Sequence, residues 1–281
     1  MNKIIIIVML VILPCAVFAQ NKNNMFNNPN KNPFTNKNFY GSVNVSMDYK
    51  FNTVNPYGES KPDTVTTLGL NLRYDYFDFS GYIDIHDIFY IYNDKPYVFG
   101  EINNYLFGEI NPRISLLAMA GQKLNGSNIF KDFLIAYNFT FDSDDLLQHY
   151  MGFGIDFNIP IFSYLKINLY ARYNQAYYGR NENSFDGFLL NIAYEVPIYK
   201  FSYGIEIIYS SWFKYIFAPS TSGNIENETD YSIQWKNTFK IGYKGFYLAY
   251  SYQHNTNYLE LNTRSAQVGE HSIGLYYSYR F

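Results

Sequence analysis

Charge is in short supply. Asp, Glu, Lys and Arg make up 16% of the 281 residues, where a soluble domain usually carries about 25%. The net charge of −3 argues against a nucleic-acid partner, which calls for a basic patch. Cys15 is the only cysteine, so no disulfide framework is available. Beyond residue 20 no run of about 18 uncharged apolar residues occurs, which excludes a transmembrane helix there. A membrane role then requires a closed barrel, because only helices and barrels satisfy every backbone group in lipid. Tryptophan occurs twice, whereas tyrosine (31) and phenylalanine (25) abound. Both favour strands, and tyrosine suits the level where lipid meets water.

The start of the chain reads as a secretory signal. Lys3 is followed by an apolar run from Ile4 to Leu13, and Val17-Phe18-Ala19 places small residues before a cleavage site after Ala19. A membrane anchor is the alternative, but the run is too short to span about 30 Å of hydrocarbon. Lipidation at Cys15 is another, and Pro14 before it fits that chemistry poorly. Cleavage also removes Lys3 and the cysteine, leaving a mature charge of −4. Residues 20–38 form an asparagine-rich leader with Pro29 and Pro33 and no apolar pattern, expected to be disordered in the periplasm.

From Phe39 onward polar and apolar residues alternate, the signature of half-buried strands. The pattern predicts an all-β chain, a single antiparallel transmembrane barrel over 39–281. Its twelve strands are expected near 39–51, 65–76, 79–88, 106–116, 130–141, 149–159, 164–175, 185–196, 201–211, 231–243, 246–254 and 270–281. Two-residue turns are expected at Phe77-Asp78 and Lys244-Gly245, and a longer one at Pro197 to Lys200. These put Arg73 opposite Tyr82, Lys236 opposite Gln253, and Glu195 opposite Ser202. Connections after odd strands are long (52–64, 89–105, 142–148, 176–184, 212–230, 255–269) and those after even strands mostly short, the asymmetry of outer loops and periplasmic turns. The stretch 117–129 breaks the rule and is expected to be a larger periplasmic loop.

Alternation alone does not say whether the apolar face meets lipid or the core of a soluble barrel. Strands of about 11 residues tilted near 45° match the lipid band of about 25 Å. The other face is rich in Asn, Ser, Gly and Thr, and Tyr277-x-Tyr279-x-Phe281 resembles the terminal signal read by the outer-membrane barrel assembly machinery. These features place the barrel in the outer membrane, in contact with its lipid; a monomer is expected, although the sequence carries no signal for or against association.

Twelve strands should leave a pore narrow enough for a small polar solute to touch its lining. The expected lining is Tyr40, Arg73, Tyr82, Asp84, His86, Glu109, Arg113, Asp156, Tyr170, Arg172, Glu195, Glu206 and Lys236. Carboxylates can bond sugar hydroxyls and aromatic faces can stack on a base. Structural ion pairing among these charges is the competing reading. No metal spacing, cofactor motif or catalytic set stands out. An outer-membrane phospholipase would need His and Ser together on the outer wall. His149, His254 and His271 lie near strand ends, but adjacent His271 and Ser272 point to opposite faces.

The run Gly81-Tyr82-Ile83-Asp84, followed by Glu109-Ile110-Asn111-Pro112-Arg113-Ile114-Ser115, resembles the nucleoside-specific channel (Tsx-like) family of outer-membrane proteins. The resemblance covers most of residues 39–281 and extends to the terminal Phe281. It implies a twelve-stranded barrel that passes nucleosides and deoxynucleosides by facilitated diffusion and serves some phages and bacteriocins as a receptor. Its motifs reach Asp84, Glu109 and Arg113. A surface adhesion barrel with a closed lumen is the alternative.

Overall fold

The computed structural model describes residues 39–53, 62–86, 106–121, 129–143, 145–178, 182–219, 228–260 and 269–280. The expected signal sequence, leader and terminal Phe281 lie outside the described residues.

Twelve antiparallel strands close into a barrel in which each pairs with its chain neighbours and β1 pairs with β12. They are β1 (Phe39–Lys50), β2 (Asp63–Tyr74), β3 (Phe77–His86), β4 (Leu106–Ser115), β5 (Phe130–Asp142) and β6 (Leu146–Phe157). The second half comprises β7 (Tyr164–Tyr177), β8 (Ser184–Lys200), β9 (Ile205–Phe217), β10 (Tyr231–Tyr243), β11 (Phe246–Thr256) and β12 (Gly269–Arg280). Among the described residues no helix is long and apolar enough to cross a membrane. Closure leaves no strand edge unpaired, which lets the ladder stand in hydrocarbon.

The apolar residues face outward. Phe153 is 69% exposed and Leu248 51%, while Asp156 and Arg172 on the opposite face are 5% and 0% exposed. The barrel is therefore inverted relative to a soluble one, with a polar interior and an apolar wall. Aromatic clusters sit towards both ends of that wall along β8 and β9. Near the β8–β9 turn Phe201 meets Tyr199 edge-on and stacks on Tyr203. Phe185, Phe188 and Phe217 pack together towards the other end.

Several turns differ from the sequence expectation. The β2–β3 turn is Asp75-Tyr76, not Phe77-Asp78, so Arg73 faces Asp78 rather than Tyr82. A displacement of two residues keeps every side chain on its expected face, and hydrophobic patterning is blind to it. β8 runs through Pro197 instead of turning there. A register shift between Pro197 and Tyr199 accommodates the proline, the turn comes at 201–204, and Glu195 pairs with Ser210, not Ser202. Proline lacks a ladder donor and is tolerated at such a bulge. The connection after β5 is three residues, 143–145, rather than the long loop expected over 142–148. β9 continues to Phe217, six residues beyond its expected end. The Lys244-Gly245 turn is as expected, with Lys236 opposite Gln253. Both turn residues have positive φ (48° and 89°), as a tight hairpin that follows strand twist requires. Within the 117–129 stretch, Leu116–Met119 forms one helical turn (α1), capped by Ser115, which accepts from the Ala118 amide at 3.0 Å.

Candidate functional site

The interior is not evenly filled. Ala136 (β5), Tyr150 (β6), Tyr170 (β7) and Leu189 (β8) bury one another, with Ile216 of β9 packed against them. Leu189 reaches this cluster because a bulge in β8 changes which residues point inward. Phe185 and Phe188 both face out, and between them Gly187 (φ +77°) lets Asp186 turn in. A side chain at Gly187 would press on the Phe217 and Ala218 carbonyls, so the bulge requires glycine. Beside this cluster lies a cavity of about 570 Å³. Its lining comes from β1–β4 and β7–β12, and from no residue of β5 or β6. The cavity is thus displaced to one side.

A transverse ion pair marks the boundary between the filled and open parts. Lys214 of β9 donates to Glu109 of β4 at 2.6 Å, joining positions 105 residues apart. Five strand-to-strand steps separate them around the wall by way of β5–β8. Glu109 also accepts from Asn111 (2.9 Å), Asn138 (2.8 Å) and Tyr82 (3.4 Å), so both its oxygens are occupied. A buried carboxylate held this way is compensated rather than stranded.

Near the short turns the interior carries a dense charge network. Arg73 bonds Asp132 at 2.7 Å and Asp78 at 3.4 Å. Arg113 bonds Asp78 and Asp156, each at 2.7 Å. Lys166 stands 3.9 Å from Asp78, and Ser115 donates to Asp132 at 2.6 Å. Three cations and three carboxylates alternate, which offsets the cost of burying each.

Towards the other end a turn of 3-10 helix, Tyr258–Glu260, enters the barrel from the β11–β12 connection. Glu260 is held by Arg172 at 2.6 Å and by the Tyr177 hydroxyl. Arg172 also donates to the Asp186 carboxylate and carbonyl, both at 2.6 Å. The turn is thereby pinned to the β7–β8 wall, and Tyr258 lines the cavity. Burial, and then Glu270 nearby, push the Tyr258 hydroxyl up to about 12.

Of the residues expected from sequence, Tyr82, Asp84, His86, Glu109, Arg113, Tyr170 and Lys236 line the cavity. Asp84 accepts from Thr67 at 2.5 Å, and His86 contacts Asp63 at 2.5 Å. Five others face the interior outside the cavity lining. Arg73 and Asp156 belong to the charge network, Arg172 anchors Glu260, Glu195 lies 3.9 Å from Lys240, and Glu206 lies 3.9 Å from Lys200. The backbone of Tyr40 pairs with Arg73.

Sequence reasoning missed Trp212 and Lys214, which the expected end of strand 9 put in a loop. Continued alternation through Trp212-x-Lys214 was the available signal. Lys166, Phe107, Tyr164 and Tyr276 also line the cavity and sit at inward positions of their strands. Tyr258 and Glu260 carry no periodic signal at all.

Aromatic rings interleaved with amides, carboxylates and ammonium groups can bind a flat polar solute but supply no evident covalent chemistry. His149 is engaged by Tyr137 and Gln175, His271 by Tyr250 and His254 by Thr256. None of these three bonds a serine among the described residues.

Known proteins place this arrangement in a family. The chain is 36% identical over 130 residues to the nucleoside-specific channel-forming protein Tsx of Salmonella typhimurium, covering 44% of this chain and 45% of that protein. It thus spans about half the length of the curated relatives it matches first. It is 26% identical over 224 residues to the outer membrane protein OmpK of Vibrio parahaemolyticus, covering 71% of this chain and 78% of that one. Among solved structures a KdgM porin superposes with a TM-score of 0.45 and 11% identity, covering 85% of this chain and 99% of the other. The family model described as nucleoside-specific channel-forming protein, Tsx, matches residues 48–281; the chain belongs to that family of outer-membrane, channel-forming barrels.

Proposed function

We propose that this barrel passes nucleosides across the outer membrane by facilitated diffusion. The observation that carries the reading is the off-centre cavity of about 570 Å³, whose lining combines Tyr82, Phe107 and Trp212 with Asp84, Asn191 and Gln253. Rings give the base a stacking surface worth about 1–3 kcal/mol each, and amides and carboxylates can meet ribose hydroxyls and base edges. The rates of passage and recognition then depend on the same lining groups. Family membership supports the same substrate class.

Current through purified protein in planar bilayers tests this. Adenosine and thymidine should reduce single-channel current saturably, and sucrose or glycine should not. Block by sugars or amino acids without block by nucleosides would overturn the reading.

The same reading has residues 1–19 removed on export and residues 20–38 left in the periplasm. It also has Phe281 recognised by the assembly machinery, the barrel working as a monomer, and the outer loops open to phages or bacteriocins. A closed ladder without a free edge supports independent function of one chain.

A further inference from the structure

The cavity wall from β7 through β10 is one-sided in charge. Lys166, Lys214 and Lys236 line it there, and no carboxylate does. Two of these lysines are committed, Lys166 to Asp78 and Lys214 to Glu109. Lys236 makes no ion pair among the described residues, and its side chain faces the cavity. Its neighbours across the ladder are Trp212 on one side and Gln253 on the other. Trp212 is the only tryptophan of the cavity lining. Ala193 stands next to it in the wall, leaving room beside the indole. Lys214 approaches the same ring to 5.6 Å.

An ammonium that has no counter-ion among the described residues favours an anion. Directly opposed residues on neighbouring strands project side by side, so one ligand can reach the indole and the Lys236 ammonium together. Resting on the nucleoside reading above, we propose that Trp212 and Lys236 form a subsite for a nitrogenous base carrying an anionic group, the nucleoside monophosphate class. The base lies against Trp212 and the phosphate meets Lys236, with the Gln253 amide as a further donor. Phosphate accepts well from a compact point charge of this kind.

The test compares adenosine with adenosine monophosphate as blockers of single-channel current, at about 0.1 M salt so that screening leaves the contact measurable. Wild type is set against K236Q, K236R and W212A, each checked for heat-modifiable gel migration to confirm an assembled barrel. The monophosphate should block wild type, and K236Q should raise its half-blocking concentration roughly tenfold more than that of adenosine, the size of one charge-assisted contact. K236R should restore most of the difference, and W212A should weaken both ligands. Equal shifts for both ligands in K236Q, or adenosine block without monophosphate block, would overturn the subsite. Monophosphate block that depends on Lys236, with no adenosine block, would uphold the subsite and defeat the nucleoside reading. Absence of block by either ligand would defeat both.

Discussion

Arg113 neutralises two carboxylates at once, Asp78 and Asp156, inside the barrel wall. Replacing it by methionine keeps much of the volume, strands buried Asp156 without an ion pair among the described residues, and leaves Asp78 only its longer contacts to Arg73 and Lys166. The expected cost is about 3–5 kcal/mol, read as a lower urea midpoint for the micelle-folded protein. Lys214 behaves differently, because its partner Glu109 keeps three other donors, Asn111, Asn138 and Tyr82. Lys214→Ala should therefore assemble and show a higher single-channel conductance, since the link between opposite walls is gone. Conductance at or below wild type would mean that the ion pair does not limit the pore. The sequence marked both Glu109 and Arg113 through the motif around Pro112, but it could not say what they bond. Their partners lie on other strands, and barrel closure decides which carboxylate reaches which cation.

At the scale of elements, the inward turn Tyr258–Glu260 depends on a few side-chain contacts. Arg172 and Tyr177 grip Glu260, and the Thr229 amide donates to its backbone carbonyl at 2.8 Å. Glu260→Ala leaves Arg172 with Asp186 and releases the turn, so we expect faster protease cleavage in the β11–β12 connection and larger current fluctuations. Unchanged cleavage would show that the backbone contact suffices. Tyr258 adds a pH dependence. Its hydroxyl is held protonated up to about 12 against an ordinary value of 10.0. Docking of the turn is thus fully stabilised below about pH 10 and weakens as pH rises through about 12. Undocking at alkaline pH should enlarge the current fluctuations, and Tyr258→Phe should abolish that pH dependence. None of this was legible in the sequence, where 255–269 reads as an outer loop without a period. The bulge at Gly187 was equally hidden. A single extra residue exchanges faces along β8, so Asp186 and Leu189 both point inward although they differ in parity.

At the scale of the whole molecule, the outward apolar wall and the inward polar one set opposite tolerances. Met151→Arg, on the outward face at the middle of β6, puts a charge into lipid and should cost about 2–4 kcal/mol, whereas Asn71→Ser in the lumen should stay within about 0.5 kcal/mol. Equal costs on the two faces, measured by denaturant unfolding in lipid vesicles, would contradict the orientation. The sequence by itself determined which residues share a face, because side chains on a strand alternate with period two whatever the strand pairs with. It also determined the number of strands, through the twelve alternating runs from Phe39 onward. Only the tertiary structure decided where β2 and β8 turn, since a shift by two or four residues preserves polarity on both faces. It also decided that the lumen is off-centre, with Tyr150, Tyr170 and Leu189 filling one side and a Glu109–Lys214 link bordering the other. Those contacts join residues far apart in the chain, and the pattern of neighbours along one strand holds no information about what stands across a closed ring.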